Sequence, residues 1–193
     1  MLIYAKQIKE INRMELVNKA DAFAAAAHAA VKQTRKYDGQ PYINHPREVR
    51  EILLRFSQSP VEPEQEAAAL MHDVVEDTGV TLELVEEIFG PRVAAYVEML
   101  TDVSRPEDGN RKVRKQKDLE HTAASLPEAK SIKACDLISN TRSIVQHDPD
   151  FARVYLHEKS RILDVCGDAD PGVLAEAYRV LNESRELLKK GVS

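Results

Sequence analysis

Apolar residues recur along this chain at three- and four-residue steps and almost nowhere at steps of two. From Glu15 to Gln33 the residues Leu16, Ala20, Phe23, Ala24, Ala27 and Val31 fall on one stripe, which predicts an amphipathic helix. PREVREILLRFS (46–57) repeats the pattern with Val49, Ile52, Leu53 and Phe56. Pro46 suits the first helical position, where its missing N–H has no intrahelical partner. That makes His45 the predicted N-cap, with an extended backbone imposed by the following proline. The connecting TRKYDGQPYINHP (34–46) carries an Asp-Gly turn signal and two prolines and reads as an irregular loop.

Further along, Pro63 opens a third helix, EPEQEAAALMHDVVEDT (62–78), with acids in its first turn as the helix dipole favours. Its residues 67–71 and 74–75 are apolar all round, so this helix is predicted to be central. Gly79 supplies a stop, Thr81 caps TLELVEEIF (81–89), and Pro91 restarts the chain as PRVAAYVEMLTDV (91–103). A loop, SRPEDG (104–109), leads to the basic NRKVRKQKDLEHTAA (110–124), and Pro127 opens PEAKSIKACDLISNTRSIVQH (127–147). Two more helices, roughly Phe151–Cys166 and Pro171–Lys189 behind an Asp170-Pro171 cap, complete the pattern. The expectation is an all-α bundle of about eight helices in one unit over residues 1–193. Its core spans about 15–166, with a C-terminal helix at 171–189.

Composition agrees with that pattern. Aromatics are only 5% with no Trp, and glycine and proline are sparse among plentiful Ala, Leu, Glu and Lys, a balance that favours helices over strands. A formal net charge of −5 argues against a general binder of nucleic acid or membrane surfaces. Cys135 and Cys166 are too few for a disulfide framework or zinc ribbon and read as reduced core thiols. The N-terminal segment mixes charges every few residues, and no run reaches the ~18 apolar residues of a bilayer span. A cytoplasmic location follows as the expectation. Nothing in the sequence fixes the oligomeric state.

The chemistry concentrates in HDVVEDT (72–78). On a continuous helix His72 and Glu76 lie about 40° apart, as do Asp73 and Asp77, so all four share one broad face. Several carboxylates at the end of a buried helix need positive charge nearby. A divalent ion held by an imidazole and a carboxylate would supply it. His45 is the candidate third ligand. Asp136, a lone carboxylate among Ile132, Ala134, Cys135 and Ile138, is the fourth. Spacing alone fits a cleft histidine and a salt-bridged core acid equally well.

Taken together, YINHP (42–46), ALMHDVVEDT (69–78) and KACDLISNTR (133–142) resemble the hydrolase domain of RelA/SpoT homologues, and most closely the stand-alone small alarmone hydrolases. The resemblance spans about Phe23 to Tyr155. It implies an all-helical HD fold, with manganese held by His45, His72, Asp73 and Asp136. Glu76 and Asp77 match an acidic pair that positions or activates the attacking water. Arg35 and Asn140 match substrate-contacting positions, and Tyr155 matches a tyrosine near the substrate. The implied partner is a small nucleotide, (p)ppGpp, which would lose pyrophosphate from its 3′ position. With no synthetase-like segment in these residues, degradation without synthesis is expected.

Counter-charges for such an anion are expected from Arg35, Lys36 and Arg142, which flank the motifs, and from Arg111, which shares a helical face with Arg114 and Lys115. His28, His121, His147 and His157 have no motif company and read as structural or surface residues. Leu137 stands where the family often has a basic residue, which leaves the preferred base open: adenine alarmones or NADPH are alternative substrates. A nucleotide-binding module without catalysis is the remaining alternative. Two imidazoles and two carboxylates also suit iron, cobalt, nickel or zinc.

Overall fold

A computed structural model describes residues 2–191, with side chains described from residue 10 onward. Its elements are helices α1 (Leu2–Ala30), α2 (Asn44–Phe56), α3 (Pro63–Met71), α4 (Val74–Asp77), α5 (Leu82–Phe89), α6 (Pro91–Leu100), α7 (Arg111–Ala124), α8 (Pro127–His147), α9 (Pro149–Val165) and α10 (Pro171–Lys189). A single 3₁₀ turn covers Pro106–Asp108. Among the described residues there is no strand, only an isolated antiparallel bridge between Thr34 and Pro41 inside the predicted loop. The all-α expectation holds.

The centre is α3. Ala67, Ala68, Ala69, Leu70 and Met71 are each no more than 1% exposed, and α1, α2, α6 and α8 pack around them. Small side chains let those neighbours approach closely. Glu66, buried at the start of this run, is neutralised by Arg13 and Arg50, the latter at 2.7 Å. α8 is the second internal element; its Ile132, Ala134, Cys135 and Ile138 are buried, and α2, α6, α9 and α10 cover it.

Three boundaries depart from the sequence reading. First, α1 begins at Leu2 rather than Glu15; its first turns lack a periodic apolar stripe but are rich in good helix formers. At its other end Val31, assigned to the buried stripe, is 48% exposed. The helix stops with Lys32 in the left-handed region at φ 56°, where Gln33 N–H donates to His28 C=O and Lys32 N–H to Ala29 C=O.

Second, α2 begins at Asn44, so His45 is not an N-cap and lies inside the first turn, with Pro46 behind it. Proline is tolerated throughout that turn because none of its N–H groups has an intrahelical partner. Third, the HD motif does not sit on a continuous helix. The helix breaks at His72–Asp73, and Asp73 adopts φ −101°, ψ −3° before the single turn of α4. The 40° spacing derived for an unbroken helix therefore does not apply.

At the far end, Asp170 caps α10 by accepting N–H bonds from Gly172 and Val173, and also accepts from Gln58 and Ser59 after α2. A Cβ on Gly172 would lie 2.1 Å from the Phe56 carbonyl oxygen. Gly172→Ala is therefore expected to destabilise the fold by about 3 kcal/mol through a backbone overlap that no rotamer relieves. Urea unfolding would register this as a lower midpoint at constant slope; an unchanged midpoint would contradict the packing of α10 against the end of α2.

Candidate metal centre

Four side chains from three segments meet beside the core. His45 comes from α2, His72 and Asp73 from the break between α3 and α4, and Asp136 from the middle of α8. His45 Nε2 lies 3.1 Å from Asp136 Oδ1 and 3.7 Å from Asp73 Oδ2. His72 Nε2 lies 3.0 Å from Asp73 Oδ2 and 3.8 Å from Asp136 Oδ1. His45, His72 and Asp73 offer ligand atoms all within 4.8 Å of one another. Asp136 adjoins that trio through the two imidazole nitrogens. Adjacent donors around an ion bonded at about 2.1 Å stand about 3.0–3.4 Å apart, so the 3.0 and 3.1 Å separations match a shared centre and the 3.7 and 3.8 Å ones need a few tenths of an ångström of closure.

The hydrogen bonds fix how each ring faces the others. Ser139 Oγ donates to Glu48 at 2.8 Å, so its 2.9 Å contact with His45 Nδ1 has the imidazole as donor. His72 Nδ1 lies 2.9 Å from the Ala69 carbonyl, which can only accept. Both rings thus carry hydrogen on Nδ1 and turn Nε2 inward, and both Nε2 atoms are buried without a hydrogen-bond partner. A neutral imidazole there points a lone pair at a carboxylate. Only a cation between them, or a proton on the ring, reconciles the two.

The charges respond accordingly. Burial opposes a charged His72, but Asp73 and Asp136 outweigh it and raise the ring's pKa to about 9. Burial alone would raise the carboxyl pKa of Asp73, yet His72 and His45 hold it well below the ordinary range. Asp136 is held near 2, against its burial, chiefly by His45. Tyr42 OH donates to Asp73 at 2.6 Å, and burial together with that carboxylate pushes the phenol far above its usual value. The Asn140 amide donates to Asp136 at 2.5 Å.

Glu76 and Asp77 stand at the rim. Asp77 accepts a 2.8 Å bond from Gln33, whose own oxygen accepts from His28 Nδ1 at 2.6 Å. Glu76 accepts from the Asp102 N–H at 3.2 Å, and partial desolvation with the Asp102 carboxylate nearby raises its pKa. His28, read from sequence as a structural or surface residue, is buried behind Asp77, where it holds Gln33. Arg35, Lys36 and Asn140 line a cleft of about 170 Å³ with Tyr37, Tyr42 and Phe151. Tyr155 lies next to Phe151, at 6.1 Å between rings. Arg111 lines a cleft of about 320 Å³ together with Glu76 while pairing with Glu158 at 2.8 Å, and Arg142 is engaged elsewhere, with Glu176 at 2.8 Å.

Residues 20–160 match the HD domain family. This chain belongs to that family, in its RelA/SpoT hydrolase branch. Four curated relatives carry the name guanosine-3′,5′-bis(diphosphate) 3′-pyrophosphohydrolase MESH1. The Danio rerio protein is 36% identical over 137 residues, covering 71% of each chain. The Homo sapiens protein is 38% identical over 138 residues, covering 70% of this chain and 73% of its own. A solved structure described as a metazoan ortholog of SpoT that hydrolyzes ppGpp superposes with a TM-score of 0.76 at 28% identity, over 87% of this chain and 94% of that one. Among the described residues of this HD-domain hydrolase, no helix is long and apolar enough to cross a membrane.

Sequence reasoning missed the groups behind the HD cluster. Tyr42, Ser139 and Gln33 are not usual metal ligands, and Glu48 lies outside the motifs, although Tyr42 and Ser139 each sit three residues from a candidate ligand, the spacing of one helical turn. Partners of this kind typically change metal affinity or activity by about 10–100-fold. Tyr42→Phe and Ser139→Ala are each expected to weaken metal binding about tenfold, read by titration against a competing chelator. Equal affinities in wild type and both variants would show that neither group orients the cluster.

Proposed function

We propose that this chain is a manganese-dependent guanosine-3′,5′-bis(diphosphate) 3′-pyrophosphohydrolase, with His45, His72, Asp73 and Asp136 holding the ion. The reading rests above all on two buried imidazole Nε2 atoms turned toward two carboxylates with no proton donor between them. The names of the MESH1 relatives support the substrate and reaction. We assign the whole of residues 1–193 to one HD-type unit, a reading supported by α10, whose Val173, Ala177, Val180 and Leu181 are buried in the same core as α8.

The ion, when bound, supplies hydroxide near neutral pH and offsets negative charge on the phosphoryl oxygens. The remaining work falls to the chain. Water adds to the phosphorus bonded to the ribose 3′ oxygen; that P–O bond breaks, and the 3′ oxygen leaves as a hydroxyl after taking up one proton. Asp77, oriented by Gln33, is placed to accept the proton of the attacking water. Glu76, whose raised pKa lets it hold a proton nearer neutral pH, is suited to return it to the departing oxygen. Arg35, Lys36, Asn140 and Tyr155 are assigned to the nucleotide. Arg111 and Arg142 join them only by exchanging Glu158 and Glu176 for phosphate.

Purified protein with manganese, given ppGpp, pppGpp, an adenine counterpart and NADPH, is expected to release pyrophosphate from the guanosine substrates fastest. Asp73→Ala should lower turnover by about 10³-fold or more, and chelation should do the same reversibly. Release of single phosphates, or preference for the adenine compounds, would replace the substrate assignment; a metal-loaded protein that binds ppGpp without turnover would remove the enzymatic one.

A further inference from the structure

Of the clefts beside the residues that surround the metal centre, two have linings that differ in kind. The 170 Å³ cleft is aromatic and meets the centre through Tyr42, bonded to Asp73, and Asn140, bonded to Asp136. A smaller one, of about 70 Å³, is cationic, with Lys115, Lys133 and Lys159 in its wall. Lys133 precedes Asp136 by one turn of α8. Asp102, also in the wall, donates its N–H to Glu76.

Charge in the smaller cleft does not balance. Lys115 is bridged to Asp102 at 3.0 Å and Asp118 at 3.4 Å. Lys133 has Asp102, already shared, at 3.9 Å as its ion pair, with Asp136, Asp73 and Glu76 of the metal centre as its more distant counter-charges. Glu158 is taken up by Arg111. Lys159 on α9 forms no ion pair or hydrogen bond among the described residues; its ammonium lies 5.0 Å from the centre of the Tyr155 ring, whose buried hydroxyl also lacks a partner. Desolvation and the neighbouring Lys133 lower the Lys159 pKa to about 8. A desolvated ammonium beside like charge calls for an anion from outside the chain. At about 15 Å³ for each water, the space accepts about five water-sized atoms, the heavy-atom count of one phosphate group.

We propose that Lys133 and Lys159 form a seat for the distal phosphate of the 3′-pyrophosphate group, while the nucleoside lies in the aromatic cleft. The choice of pyrophosphate rests on the function proposed above. Because that group keeps its charge when the 3′ P–O bond breaks, the same seat serves substrate and product. Tyr155 stands between the two ends, in contact with Phe151 on one side and Lys159 on the other. Neither lysine is a metal ligand, and their effect is expected on affinity ahead of turnover.

The test titrates manganese-loaded protein with inorganic pyrophosphate and, separately, with GDP, by calorimetry. Lys133→Gln and Lys159→Gln are each expected to weaken pyrophosphate binding about tenfold or more and to leave GDP within twofold, with Lys159→Arg recovering most of the loss. Melting temperatures close to wild type are expected for both glutamine variants, since neither removes a tight ion pair. Unchanged pyrophosphate affinity in both overturns the seat, as does equal weakening of pyrophosphate and GDP, which places the two ends of the ligand together. These titrations need no turnover: a protein that shows the expected losses yet leaves ppGpp intact keeps the seat and loses the substrate assignment.

Discussion

Two imidazole rings locked by their Nδ1 hydrogens, with both Nε2 atoms turned on carboxylates, form an arrangement that is unfavourable in a neutral, empty pocket. Everything around it is consistent with a cation at that point. Ser139 and Glu48 set one ring, the Ala69 carbonyl sets the other, and Tyr42 and Asn140 hold the carboxylates. In the absence of a metal, a proton on His72 meets part of the same demand, as its raised pKa shows. Proton and metal therefore compete for one position.

The helical scaffold places these groups by a division of labour. α3 is nearly all alanine and leucine over its buried run and stops where the chemistry starts, so tight packing and the functional break do not compete for the same residues. α8 combines the two, with apolar residues toward the core and Lys133, Asp136 and Asn140 along one edge. Asp170 and Gly172 join the end of α2 to the start of α10, so the helix that carries His45 is anchored at its far end as well as at its first turn.

Much of this was legible in the sequence because it rests on local rules. Helix starts at Pro63, Pro91, Pro127 and Pro171, and the caps at Thr81 and Asp170, follow from backbone geometry that neighbouring residues determine. The four residues read as metal ligands were found by chemistry, and they converge. What escaped depends on distant partners. Asp73, at the break, is bonded to Tyr42 from another segment, and His45, inside the first turn of α2, is bonded to Ser139 on α8. Lys159 was invisible for a similar reason: on paper it is one lysine among many, and only the fold shows that its neighbours are lysines too.

The position of Tyr155 has an evolutionary consequence. One ring adjoins Phe151 of the aromatic cleft and Lys159 of the cationic one, and both contacts come from the same two turns of α9. On the proposed reading, a mutation that tilts this helix to admit a different base also displaces the ammonium group meant for the phosphates. Taste for the head of the ligand and grip on its tail are mechanically geared, and lineages that change one must retune the other.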